Sequence, residues 1–158
     1  MPTSAIDAPI AAAARRPNVI ILDAALITGA ARRIGAQTAQ TLHQNGANII
    51  IHYGRSADAA QQLVDRLNGE RAASATMLQA NLLDLDQVHQ LAIDAFNAFD
   101  GLDILVNNAS TFYPTPLGEI NEDNWNDLMG TNIKAPLFLS QACYPALKQS
   151  RGNIINMV

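Results

Sequence analysis

A chain of 158 residues, 49% of them apolar and only 15% charged, is long enough to bury a real core and has the composition of an ordinary globular protein. Its net charge of −4 argues against a general nucleic-acid binder, because phosphate backbones demand a basic face, and no apolar run reaches the ~18 residues of a membrane helix. A single cysteine, Cys143, rules out an internal disulfide; it lies in a helical pattern and reads as a small buried apolar residue rather than a reactive thiol.

Met1 to Ala14 lacks the basic start and long apolar centre of a secretory signal. Residues 1–17 read as a flexible tail, and a cytoplasmic location is the default expectation. Asn18 to Leu22 either extends the first strand or forms a short strand of its own. Ala24 to Ile27 is a short apolar run, as expected of a parallel strand buried on both faces. The run breaks at Gly29, and a helical pattern begins within a few residues. Ile34 to Gln44 is expected to be a helix with Ile34, Ala39 and Leu42 inward, stopped at Gly46. Asn48 to Tyr53 reads as a second strand, Ala57 to Leu67 as a helix closed near Gly69, and Ala73 to Gln79 as a third strand. Asp84 to Phe99 reads as a helix with Val88, Leu91, Ala95 and Phe99 on one face and Asp84 as its cap. Ile104 to Val106 is the fourth strand. A polar and aromatic loop runs from Asn107 to Glu119. A long helical pattern spans Glu122 to about Lys148, which Pro136 should kink or break, and Gly152 to Val158 closes the sequence as a fifth strand.

Strands alternating with helices imply an α/β fold, a doubly wound parallel sheet with helices on both faces. Ligands on such sheets bind beyond the carboxyl ends of the strands, where strand order reverses. The segments after each strand are therefore read together. After the first, Gly29 permits a sharp turn and Gly35 a close approach, while a helix N-terminus flanked by Arg32 and Arg33 suits a phosphate. A dinucleotide fingerprint usually has a third glycine between these two, and Arg33 stands in that position. After the second strand comes His52-Tyr53-Gly54-Arg55-Ser56. No acid lies between Gly46 and Ala57 to take the ribose hydroxyl of NAD. The donors there suit the 2′-phosphate of NADP(H), or else form a solvated basic loop. After the third strand, Asn81 either reads an adenine edge or serves as a turn and cap beside Leu82. After the fourth, Asn107 and Asn108 can hold the strand end. Phe112 and Tyr113 offer a flat surface for a planar ring or merely cover the sheet edge. No residue pattern calls for a metal.

Thr28 to Gly35, Asn107-Asn108-Ala109, Asn132 and Gly152 to Asn156 together resemble the short-chain dehydrogenase/reductase superfamily over Ala24 to Val158. Thr28 to Gly35 with its Arg33, Ile51 to Ser56 and Asn108 to Pro114 resemble the pteridine reductases in particular. The resemblance implies a Rossmann-type fold over residues 18–158, incomplete after its fifth strand, and hydride transfer from NADPH to a pterin or dihydrofolate. It implies a cofactor site of Gly29, Arg32, Arg33, Ile34, Gly35, His52, Tyr53, Arg55, Ser56, Asn81, Leu82, Asn108, Ala109 and Ser110. Within it, Arg33, His52, Arg55 and Ser56 would contact the adenosine phosphate end. Ser110 and Phe112 would hold the pterin, and Asn132 would hold a water in the proton relay. Asn81 departs from the family's aspartate. Tyr144 and Lys148 match the family's Tyr-x-x-x-Lys spacing, but they precede the fifth strand, whereas the catalytic pair follows it, and Pro145 is expected at a helix end. The sequence thus reads as an N-terminal portion without the proton donor, expected to turn over little alone. The resemblance also implies a homo-oligomer, commonly a tetramer, with the helix after Glu122 at an interface. Another carbonyl-reducing member of the superfamily and a non-catalytic NADP-binding module are the alternatives.

Overall fold

The computed structural model describes residues 24–157; the readings for residues 1–17, for Asn18 to Leu22 and for Val158 lie outside the described residues. Five strands, β1 (Ala24–Ile27), β2 (Asn48–Tyr53), β3 (Ala75–Gln79), β4 (Ile104–Asn107) and β5 (Asn153–Asn156), form one sheet in the order β3-β2-β1-β4-β5. Every pairing is parallel. The chain winds outward from β1 to β3 and then crosses back to β4, so the order reverses between β1 and β4.

Side chains alternate across the strands and feed two separate cores. Leu26, Ile50 and Leu105 pack with α3 (Leu85–Ala98) and α5 (Ala135–Ser150) on one face. Ile27, Ile49, Ile51 and Val106 pack with α1 (Arg33–Gln44) and α2 (Ala57–Glu70) on the other. These strand residues are fully or almost fully buried, and each contributes about 1.5–3 kcal/mol by leaving water. The middle residues of the short central strands are apolar because neither face meets solvent. Cys143 is completely buried in the first core, and burial pushes its thiol up to about 12, so it is an inert packing residue.

Several local expectations need correction. In α1 Ala39 is buried and Leu42 packs on the core as expected, joined by Gly35 and His43, while Ile34 is 63% exposed. The helix lies close to the sheet, and small residues permit that approach where Ile34 does not. His43 is buried because its Nε2 pairs with Ser74 Oγ at 2.7 Å. Helix α2 runs through Gly69 to Glu70, and β3 begins at Ala75 rather than Ala73, where Ala73 sits in a left-handed turn. Asp84 does cap α3, accepting from the N–H groups of Asp86 and Gln87.

The long helical pattern divides into α4 (Glu122–Met129), a π-helical turn over Gly130–Lys134, and α5. Pro136 lacks the N–H that would bond the Asn132 carbonyl. The chain widens just before it, with the Ala135 N–H reaching back to Gly130 O, so the proline acts as a widened turn rather than a kink. Pro145 lies inside α5, not at its end. Strand β5 is exposed along its whole length. Among the described residues no helix is long and apolar enough to cross a membrane.

Candidate nucleotide-binding site

The strand tips on either side of the topological reversal border an open crevice of about 920 Å³. Four strand-end segments and one helix face line it. From the β1 turn come Gly29, Arg32, Arg33, Ile34 and Gly35. From the β2 tip come His52, Arg55 and Ser56; from the β3 tip, Asn81 and Leu82; from the β4 tip, Asn108, Ala109 and Ser110. Tyr53 and Phe112 do not line the crevice. Tyr53 packs against the core beneath α1 and α2, and Phe112 is 89% exposed. Asn132 also stands outside the lining. Both ends of its amide grip the backbone of Thr111, which donates at 3.0 Å and accepts at 2.8 Å.

The β1 turn is stitched to β4 by a residue to which sequence reasoning gave no role. The Thr28 hydroxyl accepts from the N–H groups of Asn108 and Ala109 at 2.9 and 3.0 Å. The Asn108 amide returns hydrogen bonds to the carbonyls of Thr28 and Gly29. The signal was available: a hydroxyl placed directly before the turn glycine. Gly29 itself has φ +63°, and a Cβ there would sit 2.9 Å from Ala109 Cα. Only glycine takes both the handedness and the approach at low cost.

Helix α1 opens toward the crevice. Its cap residue, Arg32, makes no side-chain capping bond, and its first turn carries no acid. Among the described residues the N–H groups of Arg33, Ile34 and Gly35 find no acceptor. Open amides, the positive end of the helix dipole and two guanidinium groups have the chemistry that suits a phosphorylated ligand. Arg33 adopts φ +53°, the left-handed conformation in which the usual fingerprint glycine would be at ease.

His52 was expected as a donor to the phosphate end, and the geometry corrects this. The ring is 2% exposed. Its Nδ1 accepts from the Gly29 N–H at 3.1 Å, and Nε2 stands 3.1 Å from the Ala80 carbonyl. Nε2 therefore carries the proton, and neither nitrogen is free for a ligand. Burial lowers the pKa of His52, against a smaller upward pull from its hydrogen bond to Ala80. Protonating Nδ1 would also break the bond that holds Gly29. The folded state thus binds this proton more weakly than the unfolded chain does. Stability is fully present above the ordinary histidine value of about 6.5 and declines as pH falls through and below it. His43 adds in the same direction, lowered by burial and then by the charge of Arg71. We expect urea midpoints to fall between pH 8 and pH 5 and ligand affinity in the crevice to fall with them. His52→Asn should flatten the affinity profile, and an unchanged profile would refute the coupling.

A family description of short chain dehydrogenases matches residues 23–158. This chain belongs to the short-chain dehydrogenase family. The 3-oxoacyl-[acyl-carrier-protein] reductase FabG of Staphylococcus aureus (strain N315) is 34% identical over 134 residues, 84% of this chain and 54% of that protein. Pteridine reductase 1 of Leishmania tarentolae is 34% identical across a match that covers 85% of this chain and 60% of that protein. A blue fluorescent protein from a metagenomic library, solved in complex with NADPH, superposes with a TM-score of 0.80 at 34% identity, covering 85% of this chain and 54% of that one. The chain spans about half the length of the curated relatives it matches. Within this short-chain dehydrogenase, Tyr144 and Lys148 lie on α5 and do not line the crevice. The Lys148 ammonium sits 5.7 Å from the centre of the Tyr144 ring, a surface cation–π contact rather than a proton-donating pair. Among the described residues no cluster of His, Cys, Asp or Glu could hold a metal.

Proposed function

We propose that residues 18–158 are the NADPH-binding portion of a short-chain reductase that reduces pterins or dihydrofolate. The observation that carries the cofactor reading is the meeting of Arg33 and Arg55 in one crevice, with no acid at the β2 tip. A carboxylate there would repel the 2′-phosphate; two guanidinium groups attract it. The pyrophosphate would take the open amides of α1, the 2′-phosphate Arg33, Arg55 and Ser56, and the adenine the β3 tip at Asn81 and Leu82. When bound, NADPH supplies the hydride. Ser110 lines the crevice beyond Asn108 and would meet the pterin, with Phe112 turning onto its face. Asn132 would serve the proton relay through its backbone carbonyl, whose ordinary helical donor Pro136 cannot supply. These 158 residues alone are expected to turn over little, because no suitably placed Tyr/Lys pair is among the described ones.

The test is calorimetric titration of the chain with NADPH and NADH, followed by competition with dihydrobiopterin. We expect NADPH to bind at least about tenfold more tightly, the usual worth of one charge-assisted hydrogen bond, and Phe112→Ala to weaken the pterin but not NADPH. Equal affinity for the two cofactors would sink the reading. A carbonyl-reducing role is the second reading, favoured by the acyl-carrier-protein reductases among the relatives; under it Phe112→Ala changes nothing.

Trp125, Met129, Ile133 and Leu137 repeat at four-residue spacing, and all are exposed. Such a stripe is unusual on a monomer. A second copy covering it is the family-like arrangement, and sedimentation should show a dimer or tetramer that Ile133→Glu dissociates.

A further inference from the structure

At the end of the sheet away from the crevice, where β2 and β3 begin, α1 and α2 finish beside one another around a buried histidine. His43, in the last turn of α1, is 4% exposed. Its Nε2 lies 2.7 Å from Ser74 Oγ, and the Ser74 hydroxyl donates its own proton to the Arg71 carbonyl. Nε2 therefore carries the ring proton and donates it to Ser74. That leaves Nδ1 as a bare lone pair, sealed from solvent and without a hydrogen-bond partner. The group it faces is the Glu70 carboxylate, 3.5 Å away and half exposed. Two acceptors meet with no proton between them.

The turn that brings them together is held against strain. Ala73 adopts φ +53°, a left-handed conformation that is costly for a residue with a Cβ. Asn68 fixes this turn from within α2. Its Oδ1 accepts from the N–H groups of Ser74 and Ala75, and its Nδ2 donates to the Ala75 carbonyl, each at 2.9 Å. Arg71 is tied to Asn48 Oδ1 and to the Ala47 carbonyl. Strain kept by so many bonds points to a geometry with a use. The charged groups acting on the ring are Glu70 and Arg71, both at the end of α2; Ser74, before β3, and Asn48, at the start of β2, are neutral. Burial and then the Arg71 charge hold the pKa of His43 below its ordinary value, and Glu70 opposes them.

We propose that His43 and Glu70 form a proton-operated tie between the C-terminal ends of α1 and α2. With Nδ1 bare, the carboxylate is repelled and stays toward solvent. When Nδ1 takes up a proton, the carboxylate accepts a charge-assisted hydrogen bond from it and draws the two helix ends together. Helix α1 begins at the crevice with its open amides and ends at this tie, so the proton acts on the far end of the helix that faces the nucleotide. The proposal does not depend on which nucleotide that is.

The experiment begins with NMR titration of the three histidines in the wild type and in Glu70→Gln. The His43 midpoint should move to lower pH in the variant, while those of His52 and His89 stay where they are. Urea unfolding of the wild type, Glu70→Gln, His43→Gln and the double variant then gives a double-mutant cycle, run at pH 8 and at a pH below the His43 midpoint. Glutamine at position 43 carries an amide that can still donate to Ser74 but does not titrate. The cycle cancels what Glu70 does to the net charge and to the end of α2. We expect the coupling of the two positions to be unfavourable at pH 8 by about threefold in the folding constant and favourable by about threefold at the lower pH, near the low end of one net hydrogen bond. The titration keeps the proposal testable if His43→Gln does not fold. A coupling of one sign at both pH values, or a His43 midpoint that does not move in Glu70→Gln, overturns it.

Discussion

Gly35→Ala should lose about 3 kcal/mol of stability, at the upper end of what one added methyl costs in a packed site. A Cβ at Gly35 would lie 2.6 Å from Asn108 Nδ2, 2.8 Å from Ala30 Cα and 2.8 Å from the Gly29 carbonyl oxygen. Two of these atoms are backbone and cannot rotate aside. The helix must back away from the β1 turn, or the Asn108 amide must release the carbonyls of Thr28 and Gly29 that it holds. Either movement displaces the open amides of α1. Restoring them on binding costs about the same energy, so NADPH affinity should fall roughly a hundredfold at 1.4 kcal/mol per decade. Gly69→Ala is the control. Nothing lies within 4 Å of its would-be Cβ, and α2 continues through it, so the protein should gain up to about 1 kcal/mol. Urea denaturation and calorimetry of both variants decide the matter. A Gly35→Ala protein that melts and binds like wild type would show that the close approach is unimportant.

Arg33→Gly should separate stability from cofactor choice. Arg33 holds a left-handed backbone at φ +53°, a strain of about 1–2 kcal/mol for a residue with a Cβ. Glycine removes that strain and loses part of the gain to unfolded-chain entropy. Stability should therefore hold or rise by up to about 1 kcal/mol. NADPH affinity should fall by roughly ten- to a hundredfold as one guanidinium leaves the 2′-phosphate, while NADH affinity changes little. Arg55→Ala should give the same loss of selectivity with no gain in stability. Strain retained at a residue that lines the crevice is what a binding role predicts. An Arg33→Gly variant that still discriminates the two cofactors as the wild type does would remove Arg33 from the phosphate site.

Chemical composition left its mark where burial is symmetrical or where backbone geometry demands one residue type. The central strands were legible because both of their faces pack on helices, which forces apolar runs at Ile49 to Ile51 and at Ala24 to Ile27. The cap at Asp84 was legible because a carboxylate before a helix has one obvious use. The inward face of α1 was read correctly at Ala39 and Leu42 and wrongly at Ile34, because close packing favours Gly35 there and a hydrogen bond retains His43. The division of the helix after Glu122 was half legible. Pro136 announced a disturbance, but a π-helical turn depends on which carbonyls neighbouring elements leave free.

By itself the sequence determined the alternation of strands and helices along the chain, the two glycines at the nucleotide turn and the absence of an acid after β2. These follow from periodicity, backbone stereochemistry and charge, which act along the chain. Only the tertiary structure decided that His52 spends both ring nitrogens within the protein, that Thr28 ties β1 to β4, and that Asp127 faces the crevice. Each depends on groups more than twenty residues apart being brought within hydrogen-bonding or lining distance, and local patterning carries no record of such meetings.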